Sequence, residues 1–199
     1  MLGGLPMKKR MIWKGIVAGS AVLMMTVGAF AAEAVTEEAA EEEYTVEYEY
    51  DENGWVISEK YFAPDGTRYT LPNGTSGYIN AALVNANLPA DQVWVDADDN
   101  PVVNTEKGYA RVTRGLDAEG HVVLVQFFDA DDNLVVTPAG YAVVARAYDD
   151  AGHQVAEGWF GADEQPIDRD GYAGWLKAYD EAGSVVQEIH VSADGIVVE

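Results

Sequence analysis

The phrases Gly108-Tyr109-Ala110-Arg111-Val112, Gly140-Tyr141-Ala142-Val143-Val144 and Gly171-Tyr172-Ala173-Gly174-Trp175 recur at steps of 32 and 31 residues. Each is followed by an Asp-x-x-Gly turn, at Asp117–Gly120, Asp149–Gly152 and Asp180–Gly183. Self-similarity at a fixed period of about 20–50 residues marks a repeat architecture. One supersecondary unit stacks on the next because it cannot bury its apolar face alone.

The unit is built from strands. Tyr44-Thr45-Val46-Glu47-Tyr48-Glu49-Tyr50 alternates apolar and polar residues, as a half-buried strand does. Asp51–Gly54 closes a turn and Trp55–Phe62 returns. The same order recurs at His121–Phe128, His153–Phe160 and Ser184–Val191. Aspartate at the first turn position caps the backbone and glycine at the last accepts positive φ, so each unit is a hairpin. A second turn follows each return strand, at Ala63–Gly66, Asp96–Asn100, Asp129–Asn133 and Gly161–Gln165. Ala110, Ala142 and Ala173 form a column, as do Val112, Val144 and Trp175. A basic column, Arg114, Arg146 and Lys177, is expected to meet Glu157 and Glu188 diagonally across the hairpins. Only Ile79–Asn87 could pass for a helix, and its asparagines weaken that reading. The expected fold is all-β: tandem antiparallel β-hairpin repeats of about 32 residues over 44–199, stacked into an elongated or curved meander or solenoid. There are about five repeats, with the first and last degenerate.

Residues 1–31 differ in kind. Lys8, Lys9, Arg10 and Lys14 precede an uncharged apolar run that ends in Ala29-Phe30-Ala31, the pattern of a cleaved export signal peptide, with an uncleaved membrane anchor as the alternative. Residues 32–43 are acidic and without aromatics, and are expected to form a disordered spacer. Removal of the leader leaves 8 basic against 34 acidic residues, a net charge of −26. Such a charge repels nucleic acid and anionic membranes, suits a soluble extracellular protein, and favours cations or basic surfaces. No second apolar run follows, so no membrane insertion is expected after cleavage. Without cysteine, an exported chain of this length is held by packing and strand pairing, not by disulfides.

No catalytic constellation stands out. The serines are isolated, the histidines (His121, His153, His190) show no metal spacing, and the many acids make any chosen pair uninformative. No enzyme activity is expected. Asp96-x-Asp98-x-Asn100 and Asp129-x-Asp131-x-Asn133 invite calcium, but the glycine and distal acid of an EF-hand are missing. Turn chemistry is the expected role of Asp96, Asp98, Asp129 and Asp131, with weak calcium binding as the alternative and no cofactor required. The recurring rings are the remaining candidates: Tyr109, Tyr141, Tyr172 and Trp175, with Trp159 on the return strand. Flat rings on a β surface can stack on sugars, and they can equally pack repeats together.

The phrases Asp96–Val102, Gly108–Arg114 and Tyr148-Asp149-Asp150-Ala151-Gly152 resemble the YD and GYA-type β-hairpin repeats of proteins exported by Gram-positive gut bacteria. The unit is more loosely similar to cell-wall (choline-type) binding repeats and to the YD repeats of Rhs proteins. Gly158-Trp159 and Gly174-Trp175 stand isolated, so choline recognition is not implied. The resemblance implies a secreted or cell-wall-associated address and a non-catalytic binding role toward wall glycan or another surface protein. The alternative is a structural spacer or protein-interaction scaffold without a small-molecule ligand.

Overall fold

The computed structural model describes residues 7–11, 44–85 and 88–198 of the 199. The apolar leader run, the cleavage pattern and the acidic spacer lie outside the described residues. The described residues form one sheet of twelve strands in strict sequence order, every neighbour antiparallel. The strands are β1 (Met7–Met11), β2 (Thr45–Tyr50), β3 (Val56–Phe62), β4 (Gly77–Asn85), β5 (Leu88–Val95) and β6 (Arg111–Leu116). They continue with β7 (Val122–Phe128), β8 (Val143–Tyr148), β9 (Gln154–Phe160), β10 (Gly174–Tyr179), β11 (Val185–Val191) and β12 (Val197–Val198). This is an all-β meander of hairpins, and Gly77–Asn85 is a strand, not a helix.

The turns explain the hairpins. Asp117 Oδ1 accepts the backbone N–H groups of Glu119 and His121, and Asp149 Oδ1 those of Ala151 and His153. The aspartate thus replaces ladder bonds that the tight loop cannot make. A register shift sits at the same place in four hairpins: Glu49/Tyr50, Gly115/Leu116, Ala147/Tyr148 and Ala178/Tyr179. This bulge slides the basic column by one position. Arg146 stands directly opposite Glu157 and Lys177 directly opposite Glu188, not diagonally as counting back from the turn suggests.

After each return strand the second turn doubles the chain back, pairing Phe128 with Leu134 and Phe160 with Pro166. Its left-handed position is glycine in the first unit (Gly66, φ 85°) but Asp99, Asp132 and Glu164 later (φ 64°, 65° and 60°). The first two carry a second function. Asp99 takes Lys60 at 2.6 Å and Arg68 at 2.7 Å from the preceding unit, and Asp132 takes Arg111 at 2.8 Å within its own hairpin.

Successive hairpins join through only three residue pairs each, for example Gly174–Gly158, Trp175–Glu157 and Leu176–Ala156. The doubled-back loop then covers one face of the sheet and completes the joint. The core lies under it: Val112, Val125, Val144 and Trp159, with Tyr109, Phe127, Tyr141, Ile167, Tyr172 and Trp175 packed against it. Burying each such side chain is worth about 1.5–3 kcal/mol. Ala110, Ala142 and Ala173 are also buried, where the chain enters each hairpin too closely for a larger group.

Candidate functional site

The Gly-Tyr-Ala tyrosines leave their turns and lie over the covered face, between the rings of successive return strands. Tyr109 meets Phe127 at 4.9 Å between centroids, and Phe127 meets Tyr141 at 6.0 Å. Trp159 meets Tyr172 at 5.5 Å, and Tyr172 stacks flat on His190 at 4.1 Å. Arg169 bridges the middle of the row, its guanidinium 4.9 Å from the Tyr141 ring and 4.8 Å from Trp159. These contacts make one ladder of rings running across the repeats, in geometries favourable for aromatic and cation–π pairs.

All five ring candidates therefore lie in this ladder or beside it. Trp159 is the most buried, at 7% exposure, and the three tyrosines and Trp175 are half-buried. The Trp175 face carries Lys177 Nζ at 4.4 Å. Burial pushes the Tyr109 hydroxyl above its ordinary pKa. A shallow groove of about 480 Å³ opens on the opposite sheet face, and a smaller one of about 280 Å³ lies between Tyr109 and Tyr141, bordered by Glu106, Lys107 and Pro138.

Glu157 holds the polar end of the ladder. Its Oε1 accepts the Trp159 indole N–H at 3.0 Å, and its Oε2 accepts Arg146 Nε at 2.8 Å and Gln154 Nε2 at 3.1 Å. Burial alone would raise its carboxyl pKa. The hydrogen bond and charge of Arg146, with Gln154 and Trp159, outweigh burial and leave it below the usual glutamate value. Glu59 occupies the equivalent place in the first hairpin, where it accepts the Tyr61 hydroxyl at 2.6 Å. Burial first, then the Glu59 charge, pushes Tyr48 up to about 12 and raises Tyr61 and Tyr78 further.

The histidines form a motif that the alternation pattern does not reveal. His121 bonds Asp117 at 2.9 Å and stacks on Tyr148 of the next hairpin at 4.5 Å. His153 bonds Asp149 at 3.1 Å and stacks on Tyr179 at 4.6 Å. Sequence suggests ordinary exposed positions after a turn, whereas both are half-buried clamps between units. The one available signal was their shared repeat phase.

The calcium candidates are occupied by the turns. Asp96 Oδ1 accepts the N–H groups of Asp98 and Asn100, and Asp129 Oδ1 those of Asp131 and Asn133. Asp98 and Asp131 are exposed. Among the described residues no three His, Asp or Glu side chains converge as a metal set.

The bonds from Asn100, Asn133 and His153 backbone hold Asp96, Asp129 and Asp149 below the usual carboxylate pKa, as the Arg146 pair holds Glu157. A depressed folded pKa means stability that is present above the unfolded value and is lost as pH falls through the folded one. Melting temperature is therefore expected to fall steeply below about pH 4. Glu157→Gln should shallow that fall, and an equal slope in both proteins would remove Glu157 from the account.

The fold and site together define a β-hairpin repeat protein whose recurring rings join one unit to the next. No family model matches the chain, and no curated protein matches it.

Proposed function

We propose that the chain is an exported, non-catalytic scaffold that presents its sheet to other macromolecules. The observation that carries this reading is the covering of the repeated rings. Tyr141, Tyr172 and Trp175 each have Arg169, His190 or Lys177 laid on the ring, and Tyr141 and Tyr172 also meet Phe127 and Trp159 of the preceding hairpins, so these rings are engaged within and between units. The carboxylates with lowered pKa are likewise engaged in turns or ion pairs. The opposite face of the sheet, which carries the groove of about 480 Å³, adds support. Over β8–β11 its register positions include Ala145, Ala156, Gly158, Gly174, Leu176 and Ile189, with no charged residue, in a chain of net charge −22. An apolar face of this kind suits contact with another surface better than hydration.

A second reading, glycan binding, is favoured by the groove between Tyr109 and Tyr141. A retention assay on purified cell-wall glycan separates the two. The scaffold reading expects no retention. Retention that Tyr109→Ala together with Tyr141→Ala abolishes, in a variant that still folds, would replace it with the glycan reading.

A further inference from the structure

We propose that the outer edge of β2 is a strand-addition site for a basic extended segment. Met7–Met11 occupies it in the intact chain, and a partner segment of the same apolar–basic–basic–basic–apolar pattern takes it once the leader is gone. The partner assignment rests on the exported-scaffold reading; the edge itself rests on geometry.

Each of β4, β6, β8 and β10 has its outer side paired with the preceding return strand, through three residue pairs. On β2 that place is taken by β1, through five pairs. The register matches residue for residue. Met7 stands opposite Tyr50 and Met11 opposite Val46, apolar against apolar. Lys8 stands opposite Glu49 and Arg10 opposite Glu47, opposite charges at directly facing positions, with Lys9 at Tyr48. Facing pairs of these kinds are the ones that stabilise an antiparallel ladder. A slip of one residue in either direction would set one methionine against Glu49 or Glu47 and Lys8 and Arg10 against tyrosine or valine, so the pattern favours this register.

The same five residues include most of the positive segment expected at the head of an export leader. They cannot both remain on β2 and be removed with residues 1–31. Processing therefore vacates an acidic strand edge, and an unpaired edge takes up extended chain through its backbone while side chains select the partner. The strongly negative domain attracts basic segments to it.

The test uses the full chain and a full-chain Lys9→Pro variant, in which proline removes a ladder donor from the five-residue strand and opens the edge. The probe is a fluorescent, end-blocked peptide carrying Met-Lys-Lys-Arg-Met between glycines, followed by anisotropy. Two controls are the same peptide with proline at its centre and the shifted order Lys-Met-Arg-Met-Lys. The Lys9→Pro chain is expected to bind the probe about tenfold more tightly than the intact chain and about tenfold more tightly than either control. Glu47→Lys with Glu49→Lys in the same chain should erase the preference. Hydrogen exchange gives a readout free of the probe: β2 amides protected in the intact chain should exchange faster in Lys9→Pro, while those of β8 should not. Equal binding of all three peptides, equal binding by both chains, or unchanged β2 exchange would each overturn the proposal. Glycan retention would instead strike the scaffold reading and leave the edge untouched.

Discussion

Trp159→Ala is expected to lower stability by about 3–5 kcal/mol, the range for removing a large aromatic from a packed core. Trp159 is 7% exposed and belongs to the central cluster with Val112, Val125 and Val144. Its ring also supports Tyr172 and Arg169, so truncation empties the middle of the ladder. Glu157 Oε1 loses its indole donor at the same time. At about 2–4 °C per kcal/mol for a domain of this size, the melting temperature should drop by about 10 °C. Trp159→Phe retains most of the buried ring and removes the donor, so its cost should be nearer 1 kcal/mol. Denaturant melts of the three proteins check both figures. An alanine variant within about 1 kcal/mol of the parent would show that the ladder does not hold the repeats together.

Gly77→Ala is expected to cost about 1–3 kcal/mol or more, and to act locally. A Cβ at residue 77 would lie 2.1 Å from the Glu59 carbonyl oxygen and 3.1 Å from the Lys60 Cα, both backbone atoms that no side-chain rotation can move. The residue also has φ of 155°, which a side chain resists. Gly77 contributes one of only three pairs that join β3 to β4. Forcing it away should loosen the β2–β3 hairpin from the rest, because a repeat array is stable only through its nearest-neighbour interfaces. Hydrogen exchange should accelerate at Val46 and Tyr61 while Val144 and Trp159 retain their protection. Uniform acceleration along the chain would argue instead for one fully cooperative unit. Gly174 repeats the close approach, its Cβ position 2.5 Å from the Glu157 oxygen, although Arg111 and Val143 fill the equivalent place elsewhere. That difference reflects how near each pair of strands comes at its joint.

Most of the strand plan is readable in the residues. Tyr44–Tyr50 alternates, Asp117–Gly120 and its counterparts close loops, and the period of 32 and 31 residues places equivalent positions side by side. These are short-range rules, set by the two-residue pleat and by which residues tolerate a turn. The bulge before each first turn was not readable, because it depends on how an aspartate-capped loop fits between two particular strands. Its consequence, Arg146 directly opposite Glu157, was displaced by one position for that reason.

The aromatic positions show the same boundary. Their recurrence follows from sequence, and so does the suspicion that they pack or bind. Whether a tyrosine face meets solvent or Arg169 depends on a residue 28 positions later in the chain. His121 and His153 look like exposed residues after a turn until Tyr148 and Tyr179 of the following hairpins are laid against them.

By itself the sequence determined an all-β repeat chain with aspartate and glycine turns, a marked acidity and one ring per unit. Alternation, turn chemistry and composition act within a few residues or sum over the whole chain, and neither needs a fold to be read. Only the tertiary structure decided that the Gly-Tyr-Ala rings are covered joints of a single sheet, and that a basic strand lies in register on β2. Those facts depend on groups that are remote in sequence and adjacent only after the hairpins have stacked.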